Sequence, residues 1–430
     1  MNHSQKRNIS LLVAGRLISL IGSGVQGIAI PLYILDKTGS GTLMGLFATL
    51  SMVPALVAAP LSGVLGDRLN RKKLMVYADC GRGILIFLLA LLSAMDTMNI
   101  AVLFTVQAMT SILDSMFNSS SDGILPDLIP HEDLGRANAM KGGADSLALI
   151  IGPVLGGIIY GIWGIFPVFL FNAASFIISG ICEQLIRYDM KTSVREKLSP
   201  GVFVKEVGEV LRFVAGNKGL TQLFGFAMVM NFLIVPVFFI IMPYDFKKVI
   251  GFTSAQYGVL QTFFMAGLLV GNIIIGSVFS KAGSRKLMTV GILVQTGILF
   301  IFTAAVFPGA TRFFGGASWT YFGVLGAALA FIGIFNPAVN VPIQTNLQKM
   351  VRSEMRSRFF SVTGLMTQLI VPVGSMLYGF LLDRVPAHLI ILGVCAAVAA
   401  MTLLFLTFAS HEVYEPHLSV NGSVQPEAAS

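Results

Sequence analysis

Charged residues and the motifs of common soluble enzymes are scarce in this 430-residue chain. Only 12% of its residues are charged, and it contains no His-Glu-x-x-His, Gly-x-Ser-x-Gly or Gly-x-x-x-x-Gly-Lys-Ser/Thr sequence. These absences disfavour a zinc peptidase, a serine hydrolase and a pump driven directly by ATP. The three cysteines, Cys80, Cys182 and Cys395, lie in apolar runs without metal-site spacing. We therefore predict no enzyme, no metal and no cofactor.

Apolar sequence dominates instead. Hydrophobic residues make up 55% of the chain, and its mean hydropathy is +0.81. Since about 20 apolar residues cross a bilayer, the predicted fold class is an all-α integral membrane protein with 12 transmembrane helices. The predicted spans lie near 10–35, 42–66, 74–95, 98–120, 143–163, 166–186, 220–244, 255–280, 287–307, 318–343, 358–382 and 387–409.

The placement of basic residues predicts the orientation of these spans. Of 29 Lys and Arg residues, 22 fall in the termini and in every second connection, and five fall in the other connections. Such a bias is typical of loops that stay in the cytoplasm, so both termini are predicted to be cytoplasmic. The net charge of +8 then reflects membrane topology, and no nucleic-acid partner is predicted.

The spans divide six and six. The predicted parts are an N-terminal six-helix bundle (1–187), a cytoplasmic linker (188–218) that is partly an amphipathic surface helix, a C-terminal six-helix bundle (219–410) and a disordered cytoplasmic tail (411–430).

The two halves also repeat each other. Residues 63–74 recur in degraded form at 276–287, and Gly157 matches Gly379 in a second repeated stretch. Two weakly similar halves of six spans indicate a duplicated transporter with its substrate site near the midplane.

The turn between spans two and three carries a motif. Residues 63–73 read Gly-Val-Leu-Gly-Asp-Arg-Leu-Asn-Arg-Lys-Lys, which resembles the loop 2–3 signature of the major facilitator superfamily, with Asn70 in place of a glycine. Asn tolerates positive φ, so the turn is expected to survive. Gly63 is expected to let another helix approach closely. The alternative is a solvated basic hairpin.

The resemblance implies a conformational latch. In that family the acid matching Asp67 lies against the N-terminus of span eleven, which here begins near 356–358. Asp79 and Arg82, three residues apart in span three, can pair on one helical face. The predicted latch comprises Gly63, Asp67, Arg68, Arg71, Asp79 and Arg82.

Two further motifs narrow the resemblance. Gly152, Pro153, Gly156 and Gly157 in span five resemble the antiporter signature, which in the family marks exporters, although an ordinary glycine-rich helix contact is the alternative. Residues 126–139, predicted to form loop 4–5, resemble a stretch of the macrolide-efflux and siderophore-exporter branch. Span four departs from the family because it lacks the intramembrane Arg found in many members.

Ionisable residues inside spans are the candidates for proton coupling. Asp114 and Asp145 are predicted proton carriers, with Arg16 as their counter-charge, although Asp114 can instead pair with Arg71 or Arg82. Glu183, near Arg187, is predicted to form only a surface pair.

The family's cavity is lined by spans one, four, seven and ten. Uncharged polar residues there are either substrate contacts or amides that hold helices together. These cavity candidates are Gln26, Gln107, Asn231, Asn336 and Asn340.

Together these features predict a secondary active transporter that exports an amphipathic small molecule, such as a macrolide-type drug, in exchange for protons. It is expected to act by alternating access as a monomer in the plasma membrane. The alternatives are a siderophore or lysophospholipid exporter of the same fold and, in another class, a non-transporting membrane scaffold or sensor.

Overall fold

The computed structural model describes residues 3–188, 200–277, 283–414 and 416. In this part of the chain all regular elements are helices, and 12 are long and apolar enough to cross a membrane. The predicted fold class is therefore confirmed. The helices are α1 (His3–Thr38), α2 (Gly41–Arg68), α3 (Arg71–Ala94), α4 (Ile100–Leu128), α5 (Leu134–Trp163), α6 (Ile165–Gln184), α7 (Pro200–Ala215), α8 (Lys218–Ile250), α9 (Ser254–Ser277), α10 (Ser284–Ala305), α11 (Pro308–Phe313), α12 (Trp319–Met350), α13 (Ser353–Leu382), α14 (Ala387–Phe408) and α15 (His411–Tyr414).

Polar side chains begin several of these helices. Ser40, Asn70 and Asn99 cap α2, α3 and α4 by accepting hydrogen bonds from backbone N–H groups three residues ahead. The expected positive φ at Asn70 is wrong, because Asn70 has a φ of −67°. Its side chain caps α3 at the nitrogen of Lys73, and this role requires an extended backbone.

The motif at 126–139 is less of a loop than predicted. Helix α4 continues through Pro126 to Leu128, the short 3₁₀ turn His131–Asp133 follows, and α5 begins at Leu134. Helix α4 therefore ends eight residues later than the predicted 120.

Helix α8 contains two π-helical segments. It is π-helical at Val237–Ile241 and again at Asp245–Ile250, and it ends at Gly251, whose φ of 93° suits a residue without a Cβ. The predicted end at 244 was wrong by six residues, because the charges at Asp245 and Lys247 resemble the start of a loop.

The chain forms two compact units. The first comprises Met1–Glu196, Met242–Thr262 and Ser375–Asp383, and the second comprises Lys197–Ile241, Phe263–Gly374 and Arg384–Ser430. In the first unit α1 packs on α5 and α6, and α3 packs on α4 and α6. In the second unit α10 packs on α12 and α14.

The predicted linker and tail are described in part. Residues 189–199 of the linker lie outside the described residues, whereas α7 is the expected amphipathic helix and buries Val210 and Val214 in the core of the second unit. The predicted tail begins with the packed turn α15, in which Val413 is buried. The remainder of the tail, except Pro416, lies outside the described residues, as do residues 278–282 of the repeated motif.

Candidate functional site

A buried arginine gathers carboxyl groups inside the first unit. Arg82 on α3 donates to Asp79, one turn before it, and to Asp114 on α4. Its guanidinium also lies 4.5 Å from the ring centroid of Phe117 and 4.3 Å from that of Phe176. The predicted pairing of Asp79 with Arg82 is present, and of the two partners considered for Asp114 the structure has Arg82.

Glu183 lies beside this cluster. It is 1% exposed, and its Oε1 accepts a hydrogen bond of 3.3 Å from Ser179 Oγ. The predicted surface pair with Arg187 is wrong, because α6 turns Glu183 inward toward α3 while Arg187 remains exposed. Sequence spacing alone could not reveal this rotation of α6.

A second ion pair joins α1 to α5. Arg16 Nε lies 2.7 Å from Asp145 Oδ1, and Arg16 Nη2 lies 3.0 Å from Asp145 Oδ2. Arg16 Nη1 also donates to Asn118 Oδ1 on α4 at 3.4 Å. The two proton-carrier candidates thus pair with different arginines. Asp145 is neutralised by Arg16, whereas Asp114 is bound by Arg82.

Arg71 binds the end of α4 close to the α2–α3 turn. Its Nη1 lies 2.7 Å from the carbonyl oxygen of Gly123 and 2.8 Å from Asp127 Oδ2. Tyr188 also donates to Asp127 Oδ2 at 3.1 Å. Burial, reinforced by the negative charge of Asp127, raises the pKa of Tyr188 to about 12. Asp127 was not among the predicted site residues, although its motif had been recognised.

The remaining predicted latch residues are Gly63, Asp67 and Arg68. The backbone of all three lies in the last turns of α2. A Cβ on Gly63 would meet no atom of the described residues within 4 Å, so the close helix approach expected there is not seen in this structure.

The antiporter-like glycines lie at two helix crossings of the first unit. A Cβ on Gly156 would lie 2.5 Å from the carbonyl oxygen of Val25 on α1. A Cβ on Gly157 would lie 2.4 Å from the carbonyl oxygen of Ser254 on α9, and Gly258 on α9 approaches the carbonyl oxygen of Pro153 equally closely. These backbones can touch only because both helices carry glycine there.

Gly152, the remaining glycine of this motif, packs against Gly24 of α1. The repeat-related Gly379 lies at a comparable crossing, where its Cβ would lie 2.4 Å from the carbonyl oxygen of Gly41 on α2. Gly157 and Gly379, which match in the two repeats, therefore both allow close backbone contact at a helix crossing.

The predicted cavity amides bind mainly one another or their own helix. Gln26 Oε1 accepts a 2.6 Å hydrogen bond from Asn172, and Gln26 donates to Gln107 at 3.5 Å. Gln26 and Asn172 are buried, which favours a role in holding helices together. The other three amides bond locally within their helices: Asn231 to Ala227, and Asn340 to Asn336.

A polar cluster occupies the end of the first unit opposite the Arg71 turn. Asp36 accepts hydrogen bonds from Tyr160 at 2.6 Å and from Lys247. Asp383 accepts from the backbone nitrogens of Gly41 and Thr42, at 2.6 and 3.1 Å, and so caps α2.

Asp245 is a buried acid that sequence reasoning missed. It is 1% exposed, and neither carboxyl oxygen has a hydrogen-bond partner among the described residues. The signal was a lone acid directly after the stretch 237–244, and the predicted span ended before it. No group of three or more His, Cys, Asp or Glu side chains suited to a metal ion occurs in the described ranges.

Comparisons with known proteins agree with this architecture. The Major Facilitator Superfamily sequence profile matches residues 12–375. The chain is 25% identical over 385 residues to macrolide efflux protein A of Streptococcus pyogenes, covering 86% of this chain and 88% of that protein. It is 24% identical over 417 residues to the multidrug efflux pump Tap of Mycobacterium bovis, covering 94% and 95%.

Solved structures show the same fold. A bacterial homologue of the iron transporter ferroportin, in an inward-facing state, matches with a TM-score of 0.73 at 15% identity and covers 96% of this chain and 100% of its own. The nucleoside transporter NupG matches with a TM-score of 0.69 at 13% identity, covering 94% and 99%. With the profile match over most of its length, this chain belongs to the Major Facilitator Superfamily and is a multi-pass membrane transporter.

Proposed function

We propose that the protein exports an amphipathic small molecule of the macrolide type in exchange for protons. The observation that carries this proposal is the set of ion pairs inside the spans, Arg82 with Asp114 and Arg16 with Asp145. Charges at this depth are costly and usually belong to a substrate or proton path. The named functions of the two efflux relatives supply the substrate class and the direction.

The glycine crossings of α5 support export rather than uptake. Gly152, Gly156 and Gly157 form close backbone contacts in a motif that resembles the antiporter signature. Neither Asp67 nor Arg68 is described beyond its backbone, so their latch role with the start of α13 stays a proposal. We assign the cell membrane as the location, with both termini cytoplasmic and the monomer as the transporting unit.

The test is a transport assay with purified protein in liposomes that contain a pH-sensitive dye. Macrolides, cationic dyes, catecholate siderophores and lysolipids are added in turn under an imposed pH gradient. We expect proton flux triggered by macrolides, reduced in Asp114→Asn and abolished in Asp67→Asn. Asp96→Asn, an exposed acid in the α3–α4 turn, is the matched control.

The outcomes separate the alternatives. Flux triggered only by siderophores or lysolipids identifies an exporter of that class. Drug movement that follows a sodium gradient and ignores pH contradicts proton coupling. No movement of any compound under either gradient favours a scaffold or sensor.

A further inference from the structure

Three carboxyl groups share one cation in the cluster of α3, α4 and α6. The side chains of Asp79 and Arg82 are 0% and 5% exposed, and Glu183 is 1% exposed. Of the four side chains, that of Asp114 is the most exposed, at 40%. The cluster therefore has a closed end at Glu183 and an open end at Asp114.

Charge accounting shows that the closed end cannot be fully ionised. Arg82 is already bonded to Asp79 and Asp114, so those three groups carry a net charge of −1 when ionised. An ionised Glu183 would add a second uncompensated charge, and its Oε2 has no hydrogen-bond partner among the described residues. Burying such a charge is far more costly than burying the neutral acid.

Apart from Arg82, the basic side chains with described partners on the helices packed against α6 are bound to groups other than Glu183. On α1, Arg16 is bound to Asp145, and Arg7 donates to the carbonyl oxygen of Leu185. The other titratable groups near it or in its cluster are Cys80 and Asp79 on α3, Asp114 on α4 and Cys182 on α6. All of these are neutral or acidic.

We infer that Glu183 is a proton-binding site and that Arg82 moves between Glu183 and Asp114. Arg82 already acts electrostatically on Glu183, and its guanidinium can hold two of the three carboxylates at once. In the described conformation the carboxyl left over is Glu183, which carries the proton.

When Arg82 turns from Asp114 to Glu183, the Glu183 proton leaves as Asp114 takes one up. The number of protons and the net charge of the cluster are then unchanged, and the proton lies at the more exposed end of the cluster. When Asp114 then releases this proton, it is ionised again. This inference rests on the proposed proton coupling only for its role in transport, and not for the protonation of Glu183 itself.

Infrared spectroscopy tests the protonation directly. Protein labelled with ¹³C-glutamate is expected to show the carbonyl band of a protonated glutamic acid near neutral pH. Among the glutamates whose side chains are described, Glu183 alone is buried. The band should disappear in Glu183→Gln and also in Glu183→Asp, which keeps a carboxyl group and guards against misfolding of the first variant. The matched control Glu132→Gln, at an exposed position, should keep it.

The inference is overturned if the wild-type protein lacks the labelled band or if Glu183→Gln retains it. Transport supplies the second readout: Glu183→Gln should still move drug down its gradient while proton-driven accumulation falls about tenfold or more, and Glu183→Asp should restore part of it. Unchanged coupling in Glu183→Gln also overturns the inference. A labelled band in a protein without proton-coupled transport contradicts the proposed function and leaves the proton site in place.

Discussion

Arg16 and Asp145 form a two-point ion pair whose partners are unequally exposed. The arginine side chain is 11% exposed and the carboxylate 34%, so removing the acid leaves the more deeply buried charge alone. Breaking such a pair is more harmful than replacing both partners by apolar residues. We predict that Asp145→Asn loses about 2 kcal/mol or more of stability, and that Arg16→Met with Asp145→Leu recovers most of it.

Thermal unfolding of the purified variants in detergent measures this difference. Lys141→Met with Asp122→Leu is a control ion pair on the neighbouring helices, with the acid 64% exposed, and it should change stability little. Equal losses in Asp145→Asn and in the double apolar variant would contradict the prediction.

Ion pairs between residues three apart on one helix were predictable from the sequence, whereas ion pairs between different helices were not. The pairing of Asp79 with Arg82 follows from helix geometry alone. The burial of Glu183 depends on how α6 is rotated against α3, and apolar residues on every face of a membrane helix hide that rotation from the sequence. For the same reason sequence could propose two arginines for Asp114 but could not choose between them.

The crossing of α5 with α9 leaves no room for a side chain. An added methyl group at Gly157 would meet the Ser254 carbonyl oxygen at 2.4 Å, whereas at Gly142 on the same helix it would meet no described atom within 4 Å. Overpacking of this kind costs about 1–3 kcal/mol. We predict that Gly157→Ala strongly reduces transport and that Gly142→Ala does not.

Transport rates normalised to the amount of folded protein in the membrane check this prediction. Wild-type rates in Gly157→Ala would mean that the α5–α9 contact can separate without penalty. A larger transport defect in Gly142→Ala than in Gly157→Ala would also contradict the prediction.

The start of α2 depends on an acid from another helix end. Burial raises the pKa of Asp383, but hydrogen bonds from Thr42, Ser40 and Gly41 outweigh it, so the pKa lies below its ordinary value of 3.8. The stabilisation is complete above the ordinary pKa and is lost as pH falls through the lowered one. Asp383→Asn should therefore lose about 1 kcal/mol at neutral pH.

Melting temperatures measured from about pH 7 to about pH 3 test the predicted direction of this pH dependence. The difference between the wild-type protein and Asp383→Asn should shrink toward the acid end. Asp96→Asn, at an exposed position in another connection, should give a difference that stays small throughout. A difference for Asp383 that grows on acidification would contradict the assigned shift.

Element boundaries were less predictable than element number. Helix α4 extends through Pro126 to Leu128, where Arg71 and Tyr188 bind Asp127. These tertiary contacts stabilise the last turn of α4, although the proline in that turn locally favours a loop. Helix α8 continues past Asp245 in a π-helical turn, which is a departure from regular spacing that periodicity does not detect.

At the scale of the whole molecule, hydropathy and repetition predicted the fold because a bilayer admits few alternatives. Twelve apolar runs must become helices when no water is present to satisfy the backbone. The charge bias further predicts which ends face the cytoplasm. Asp96 and Glu132 lie in connections on opposite ends of the N-terminal bundle and are both exposed, so they suit a test of orientation.

We predict that Asp96→Cys reacts with a membrane-impermeant thiol reagent in intact cells, whereas Glu132→Cys reacts only after permeabilisation. Both are made in a background in which Cys80, Cys182 and Cys395 are replaced. The extent of labelling on a gel is the measurement. The reverse pattern would place the termini outside the cell.

The paired glycine crossings also bear on how this protein can evolve. Gly157, Gly258 and Gly379 each face opposing backbone atoms rather than a side chain that could shrink in compensation. A second substitution therefore cannot make room for a Cβ by shortening a neighbouring side chain. Glycine is the single residue that selection can retain there. Under drug pressure, adaptive substitutions should accumulate elsewhere, and drift in the two halves should leave Gly157 and Gly379, which match in the repeated stretches, as a lasting trace of their common origin.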